Sequence, residues 1–364
     1  LLMALIGDYA IVFNVLFLGG FVATAAATYL VLRRLQVMPA LAVAAAVLFT
    51  LLPSHFYRID HLFLSIYVSV PIFAYFALRA FDGWPFGGGA GKATGRVRMA
   101  AAAVLVVASW CGLYYAAFGM LLITVAATLA WIDRRDRRYL LNAGAAVVLI
   151  AGGLAVATAP ATLHRLTHGA SAEVANRPAS DSEIYGLKLV QMVLPIAWHR
   201  VQAFENANRN YRTTAPLVSE NAMAAVGLAG TAGLIILLFT LFRRAAADTL
   251  NRAAATLAVT AFLFGTVGGV SAVIAWLVTP QIRSWNRISL FIAFFALLAL
   301  VRALQHLLRL ERRRRLAIVI ATLLAVLGGL DQTSASWFRP EERAEAAARF
   351  AHDRAFIARL ETGS

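Results

Sequence analysis

Charge is what this sequence has least of. Asp, Glu, Lys and Arg together make up 14% of it, against about 25% in a soluble domain. Hydrophobic residues account for 61%, so too little polar surface remains to cover a water-soluble globule. The uncharged residues fall in long runs, which suits a lipid-facing surface. Cysteine is almost absent. Cys111 stands alone inside an apolar run, which excludes an intrachain disulfide framework or a thiolate metal site. Lysine occurs only as Lys92 and Lys188, so arginine carries the basic charge. No cleavable signal peptide is visible. A net charge of +15 would point to nucleic acid in a soluble protein. Here the positive charge sits in short clusters between apolar runs, so the expected partner is membrane lipid and not nucleic acid.

What is present is a succession of helix-length apolar segments. A run of about 20 such residues crosses the hydrocarbon core as a helix. Segments near 9–32, 37–53, 62–78, 99–115, 116–132, 139–158, 223–242, 254–278, 288–304 and 316–330 meet that description. The expected fold is all-α: a polytopic transmembrane bundle of about ten crossings. Residues 99–132 need arbitration, since one helix of that length would span roughly 50 Å. Both flanks are basic, so an even number of crossings or a re-entrant hairpin is required, with the turn at Gly112, Tyr114 and Tyr115.

Basic residues fix the orientation. The clusters are Arg33–Arg34; Arg79 with Lys92, Arg96 and Arg98; Arg134 to Arg138; Arg243, Arg244 and Arg252; and Arg302 to Arg315. They occupy alternate inter-helix loops. The short opposite loops hold only Arg58, Arg283 and Arg287. The basic loops are therefore expected in the cytoplasm of a multi-pass protein of the bacterial inner membrane. On this reading the first crossing runs inward. With Leu1 in place of an initiator Met, and Ser364 ending in mid-pattern, a fragment is expected, preceded by a helix and most of an extracytoplasmic loop.

The transmembrane domain is placed at 1–338, with a long extracytoplasmic loop at 159–222. Within that loop Ile184–Trp198 is apolar and reads as an interfacial helix. Residues 339–364 form a charged, alanine-rich extracytoplasmic tail, the start of a possible further domain. The glycine-rich stretch Gly87–Gly91 follows no strand and lacks the Gly-Lys-Ser/Thr ending, so it is read as a flexible loop, not a nucleotide site.

Chemistry gathers at the extracytoplasmic ends. The densest cluster is Pro53-Ser54-His55-Phe56-Tyr57-Arg58-Ile59-Asp60-His61. Arg58 suits a phosphate through its planar fork. Asp60 could act as general base or metal ligand, and His55 and His61 could relay protons or bind a metal beside it. Tyr57 lies among them. The plainer reading pairs Arg58 with Asp60 and uses Tyr57 as an interfacial anchor. His-x₅-His is not a specific metal spacing, so no cofactor is assigned and a divalent metal stays open.

The second cluster is Gln281 to Arg287. Arg283 and Arg287 break the positive-inside bias and share a face if a helix begins there. They would then clamp a phosphate, with Trp285 against an isoprenoid or sugar face. Head-group binding and snorkelling are the alternative. A third cluster holds His199, Arg200, Asn208, Arg209, Tyr211, Arg212, Glu220 and Asn221. It could shape an acceptor site, although Glu220 is equally a helix-capping acid. His164 and His168 share a helix face without a nearby acid. Asp331 and Gln332 follow the last crossing.

A bundle with its polar groups at the outer ends resembles the GT-C glycosyltransferases of bacterial inner membranes. The likeness rests on Gly19-Gly20 through Arg33-Arg34, Pro53-Ser54-His55, Arg58, His61-Leu62, Tyr114-Tyr115, Leu194-Pro195 with His199-Arg200, and Arg283-Ser284-Trp285-Asn286-Arg287. It is similar to the YfhO-like and uncharacterised branches and covers most of the chain. The resemblance implies transfer of a sugar from a polyprenyl-phosphate donor to an extracytoplasmic glycan, lipid or protein. In that superfamily the catalytic acid usually lies in the first extracytoplasmic loop, of which only Asp8 would remain here. Asp60 and the two histidines then stand as catalytic candidates. Arg58, Tyr57, Tyr115, His199, Arg200, Glu220, Arg283, Trp285 and Arg287 stand as substrate-binding ones. Two other readings compete: a transporter or flippase of lipid-linked saccharides, with Gly268–Ser271 as the place for a broken helix, and a non-catalytic assembly protein, whose outer polar clusters would fail to converge.

Overall fold

The computed structural model describes residues 5–87, 93–169, 177–242, 249–334 and 340–362, with the side chains of Asp60, Asn221, 340–343 and 360–362 outside that description. Gly88–Lys92, Arg243, Arg244 and the boundary placed between 338 and 339 lie outside the described residues. The described residues are helical apart from turns and one parallel bridge between Leu187 and Thr266.

In chain order the helices are α1 (Tyr9–Arg34), α2 (Pro39–Thr50), α3 (Pro53–Tyr57), α4 (Leu62–Ser65), α5 (Ser69–Ala80), α6 (Gly95–Ser109), α7 (Leu113–Arg134) and α8 (Arg138–His168). Three short helices follow, α9 (Asp181–Ile184), α10 (Leu189–Val193) and α11 (Gln202–Thr214). Then come α12 (Gly227–Phe242), α13 (Thr249–Gly265), α14 (Val270–Leu277), α15 (Ser289–Leu307), α16 (Arg314–Gln332) and α17 (Pro340–Thr362). Among the described residues six segments are long and apolar enough to cross a membrane: Tyr9–Arg34, Pro39–Tyr57, Leu113–Arg134, Arg138–His168, Trp285–Leu307 and Arg314–Gln332. Ser69–Ala80 and Gly227–Phe242 are shorter apolar helices. The protein is thus an all-helical, multi-pass membrane protein.

The bundle is organised around α15, which is apolar on every face from Leu290 to Val301, as a helix enclosed by others must be. The segment Trp285–Leu307 is 89% buried, against 17% for Tyr9–Arg34. α12, α13, α2 and α5 surround it, and α7 and α8 pack beyond α5. α1 and α16 lie against α2 and leave much of their apolar surface outward. Close approach between helices is made by glycine, as is common in membrane bundles. A Cβ at Gly233 of α12 would strike the Ala296 carbonyl of α15, and one at Gly119 of α7 would lie 2.6 Å from Phe73 of α5.

The turn expected at Gly112 is present, and a second break interrupts 254–278, read as one crossing, overlapping the Gly268–Ser271 stretch that the transporter reading offers. The long run 99–132 divides at Trp110–Gly112, where Gly112 takes φ +121°. The segment 254–278 divides at Thr266–Gly269, where Gly268 takes φ +67°, a value glycine adopts at little cost.

Other expectations are corrected. α8 continues to His168, past the start expected for the long loop at 159. Ile184–Trp198 is not one interfacial helix. Leu187 instead pairs in extended form with the break after α13, its N–H donating to Gly265 O at 2.6 Å and its carbonyl accepting from Val267 N at 3.1 Å. Those bonds take backbone groups that a continuous helix would need, so only the short pieces α9 and α10 flank it. The amphipathic helix of the loop is α11, which the sequence reading does not single out.

Gly233→Val should lower unfolding stability in detergent by about 1–3 kcal/mol through overpacking. Gly152→Ala, whose new methyl meets open space, should stay within about 0.5 kcal/mol of the parent or gain slightly. Thermal unfolding of the purified variants checks both.

Candidate functional site

Loops distant in sequence meet at the end of the bundle opposite the basic loops. Pro53 starts α3 because its ring presets the first helical turn and its missing N–H is not needed there. After one turn the chain tightens into a 3₁₀ turn at Ile59–His61. This winding turns His55 and Arg58 inward, leaves Ile59 and His61 exposed and keeps Tyr57 half-buried.

Arg58 is 4% exposed, and its Nη1 lies 3.1 Å from Glu220 Oε2. Glu220 opens a 3₁₀ turn, Glu220–Ala224, at the end of the long loop. The same oxygen lies 3.6 Å from Nη2 of Arg287, which is 8% exposed. Arg287 sits on the 3₁₀ turn Trp285–Ile288 that leads into α15. Its guanidinium carbon stands 4.2 Å from the ring centroid of Tyr114, at the start of α7, a cation–π arrangement. Tyr115 is buried and donates from its hydroxyl to Leu64 O at 2.6 Å, tying α7 to α4 beside the arginines.

Among the described side chains one carboxylate thus faces two buried guanidiniums. Several buried polar atoms around it have no partner among the described residues: Nε of Arg58 and of Arg287, Ser284 Oγ, Trp285 Nε1 and both amide atoms of Asn286. Buried donors and acceptors are rarely left unpaired, and these six lie on the two arginines or on residues beside Arg287 in the chain.

The residues expected to act divide into those this cluster gathers and those held elsewhere. Arg58, Glu220, Arg287 and Tyr115 belong to it. Arg283 does not join Arg287. The chain between them is 3₁₀ and extended, not α-helical, so a spacing of four does not put them on one face. Arg283 instead lies 3.7 Å from Asp181 and over the ring of Tyr185. Trp285 is 3% exposed, packed 5.5 Å from Phe118 and 6.3 Å from Phe264, so its ring faces the core and not lipid or sugar.

His55 is enclosed by aromatic rings. It stacks on Phe21 at 3.5 Å and meets Phe17 and Tyr67 edge-on, while Gly20 lets α1 approach it. Its surroundings are those of a packing residue. His61 is exposed with its ring 6.3 Å from Phe63. The Asp60 side chain lies outside the described residues, so the pairing of Arg58 with Asp60 that the sequence suggests falls outside them too; among the described residues Arg58 meets Glu220. Among the described residues no three His, Cys, Asp or Glu side chains are grouped to hold a metal ion.

His199 and Arg200 serve a second junction. His199 Nε2 lies 3.3 Å from Asp331 Oδ1, and Asp331 Oδ2 accepts from Leu228 N at 2.7 Å at the start of α12. Arg200 donates to Leu330 O at 2.8 Å and to Thr333 O, satisfying carbonyls at the end of α16. His164 and His168 are exposed and stacked on each other at 4.3 Å. The sequence reading leaves Tyr114 out of the site. Its place beside the Gly112 turn, at the same end as Arg58, is the signal that could have found it.

Asp331→Ala should free both His199 and the first amide of α12. The expected result is a loss of about 1–3 kcal/mol with faster proteolytic nicking of residues 177–226, measured by limited digestion in detergent. Comparison with protein-family models and with curated proteins finds no match for the chain.

Proposed function

We propose that the protein is a GT-C-type glycosyltransferase of the bacterial inner membrane. It takes a sugar from a polyprenyl-phosphate donor and passes it to an extracytoplasmic acceptor. One observation carries the reading: Arg58, Glu220 and Arg287, from three outer polar clusters far apart in the chain, meet at one buried point. A non-catalytic assembly protein has no need of that convergence.

In this reading the ten expected segments each cross the bilayer once, with Trp110–Gly112 as the turn between the fourth and fifth and the break at Thr266–Gly269 inside the eighth. The basic loops then lie in the cytoplasm, and the arginine pair sits at the outer interface. A polyprenyl donor needs lipid for its tail and cations for its phosphate, and planar guanidiniums provide the latter. As the bond from the sugar's anomeric carbon to the phosphate oxygen breaks, negative charge grows on the departing polyprenyl phosphate, and Arg58 and Arg287 stabilise it. The acceptor oxygen forms the new bond to that carbon. Its proton passes to a carboxylate, either Asp60 two residues beyond Arg58 or Glu220.

The discontinuous helix α13–α14 favours a second reading, a flippase of lipid-linked saccharides, since transporters use such helices. The pairing of Leu187 with the break weighs against free movement there.

Transfer of radiolabelled sugar from polyprenyl-phosphate donors by the purified protein in lipid decides between them. Arg287→Gln should lower turnover by about 100-fold or more while the variant still folds. Donor binding and translocation without any transfer would favour the flippase and sink the transferase. Full activity in Asp60→Asn with loss in Glu220→Gln would assign the base to Glu220.

A further inference from the structure

The basic end of the bundle contains a built cleft that the outer site does not use. It measures about 650 Å³ and opens between the α1–α2 turn and the start of α16. Its polar floor is fixed by Gln305, a buried residue of α15. The Gln305 amide accepts from Met38 N at 2.9 Å and donates to Gln36 O at 3.2 Å and to Glu311 Oε1 at 2.7 Å. Arg302 holds the same turn through Leu35 O at 3.1 Å. Gln36 sits at φ +64° at its apex, so the turn is pinned and the cleft is preorganised.

The walls carry two kinds of chemistry. Arg33 and Arg314 are cationic and exposed. Arg33 is anchored by a bond to Val37 O, and Arg314 has no ion pair among the described residues. An adjoining polar hollow shares Gln305 and Glu311 and adds Arg309 and Arg312. Among the described residues lining the two hollows, Glu311 is the single acid beside these four arginines, so their rim is positive. Away from the rim the wall is apolar. Val43 of α2 and Ile318 of α16 are 51% and 50% exposed and face outward from the bundle.

A positive rim on a fixed polar floor, with an apolar wall running off along two outward-facing helices, matches one class of molecule. We propose that this cleft binds an anionic phospholipid. Its phosphate lies between Arg33 and Arg314, and its acyl chains run along Val43 and Ile318. Basic hollows of this kind between helices suit acidic head groups, and the long arginine stems can line the chains while their charges meet the head group. No step of this depends on the transferase reading, because the site lies at the opposite end of the bundle and no sugar donor is involved.

The test is lipid retention by the purified chain in native mass spectrometry, with phosphatidylglycerol and phosphatidylcholine offered in turn. Phosphatidylglycerol should be held several-fold more strongly. Arg314→Gln, which leaves the turn bonds intact, should weaken its retention by about fivefold, the weight of one basic residue at an anionic lipid surface. Arg33→Gln/Arg314→Gln should weaken it further, with phosphatidylcholine unchanged throughout. Because Arg33 also bonds Val37, folding of the double variant is followed by thermal unfolding, and Arg314→Gln alone decides if that variant fails. Equal retention of the two lipids, or an unchanged Arg314→Gln, would overturn the proposal. So would inorganic phosphate binding at the same arginines with no lipid preference.

Discussion

Two guanidiniums buried at one end of an apolar bundle cannot stay uncompensated, because an isolated charge removed from water costs several kcal/mol. Arg58 and Arg287 enter that position on separate segments, one leaving α3 and the other leading into the central helix α15. A single carboxylate oxygen of Glu220 serves both, while Tyr114 covers the face of Arg287. Much of the geometry at this end follows from that need. The end of the long loop must return to the bundle to deliver Glu220. The turn between α6 and α7 must close where it does for Tyr114 to lie under Arg287.

The long loop is accordingly attached at several points along its described length. Glu183 accepts from Gly268 N at 2.8 Å, Leu187 completes the broken helix, and His199 and Arg200 grip the end of α16. These attachments use backbone groups that helix ends leave unpaired, so the loop and the helix termini satisfy each other. Among the described side chains two guanidiniums share one carboxylate, beside a set of unpaired buried polar atoms. In the proposed function the two arginines bind the donor phosphate.

The parts legible in the sequence are those governed by local rules. Apolar length marks the helices that can cross, and alternation of arginine-rich loops marks one end of the bundle. Gly112 and Gly268 mark the two breaks, because a positive φ is cheap only for glycine. The parts not legible are set by contacts between distant segments. Asp60 is the obvious neighbour for Arg58, but the partner seen among the described residues, Glu220, is supplied by the folding back of the long loop. Arg283 and Arg287 look like a helical pair, but the 3₁₀ turn at Trp285–Ile288 sends them to different partners. Ile184–Trp198 has the composition of an interfacial helix, and the unpaired backbone at the α13–α14 break converts its centre into an extended bridge. His55 has the composition of a catalytic group and the surroundings of a packing one, a difference that depends on Phe21 and Gly20 of α1.

The central claim is that Glu220 and the buried arginines form one coupled unit. A double-mutant cycle on Arg58→Gln and Glu220→Gln, read as unfolding free energy in detergent, measures it directly. A coupling of about 1–3 kcal/mol is expected for charges in contact. Additivity within about 0.5 kcal/mol, the behaviour of independent sites, would contradict the account.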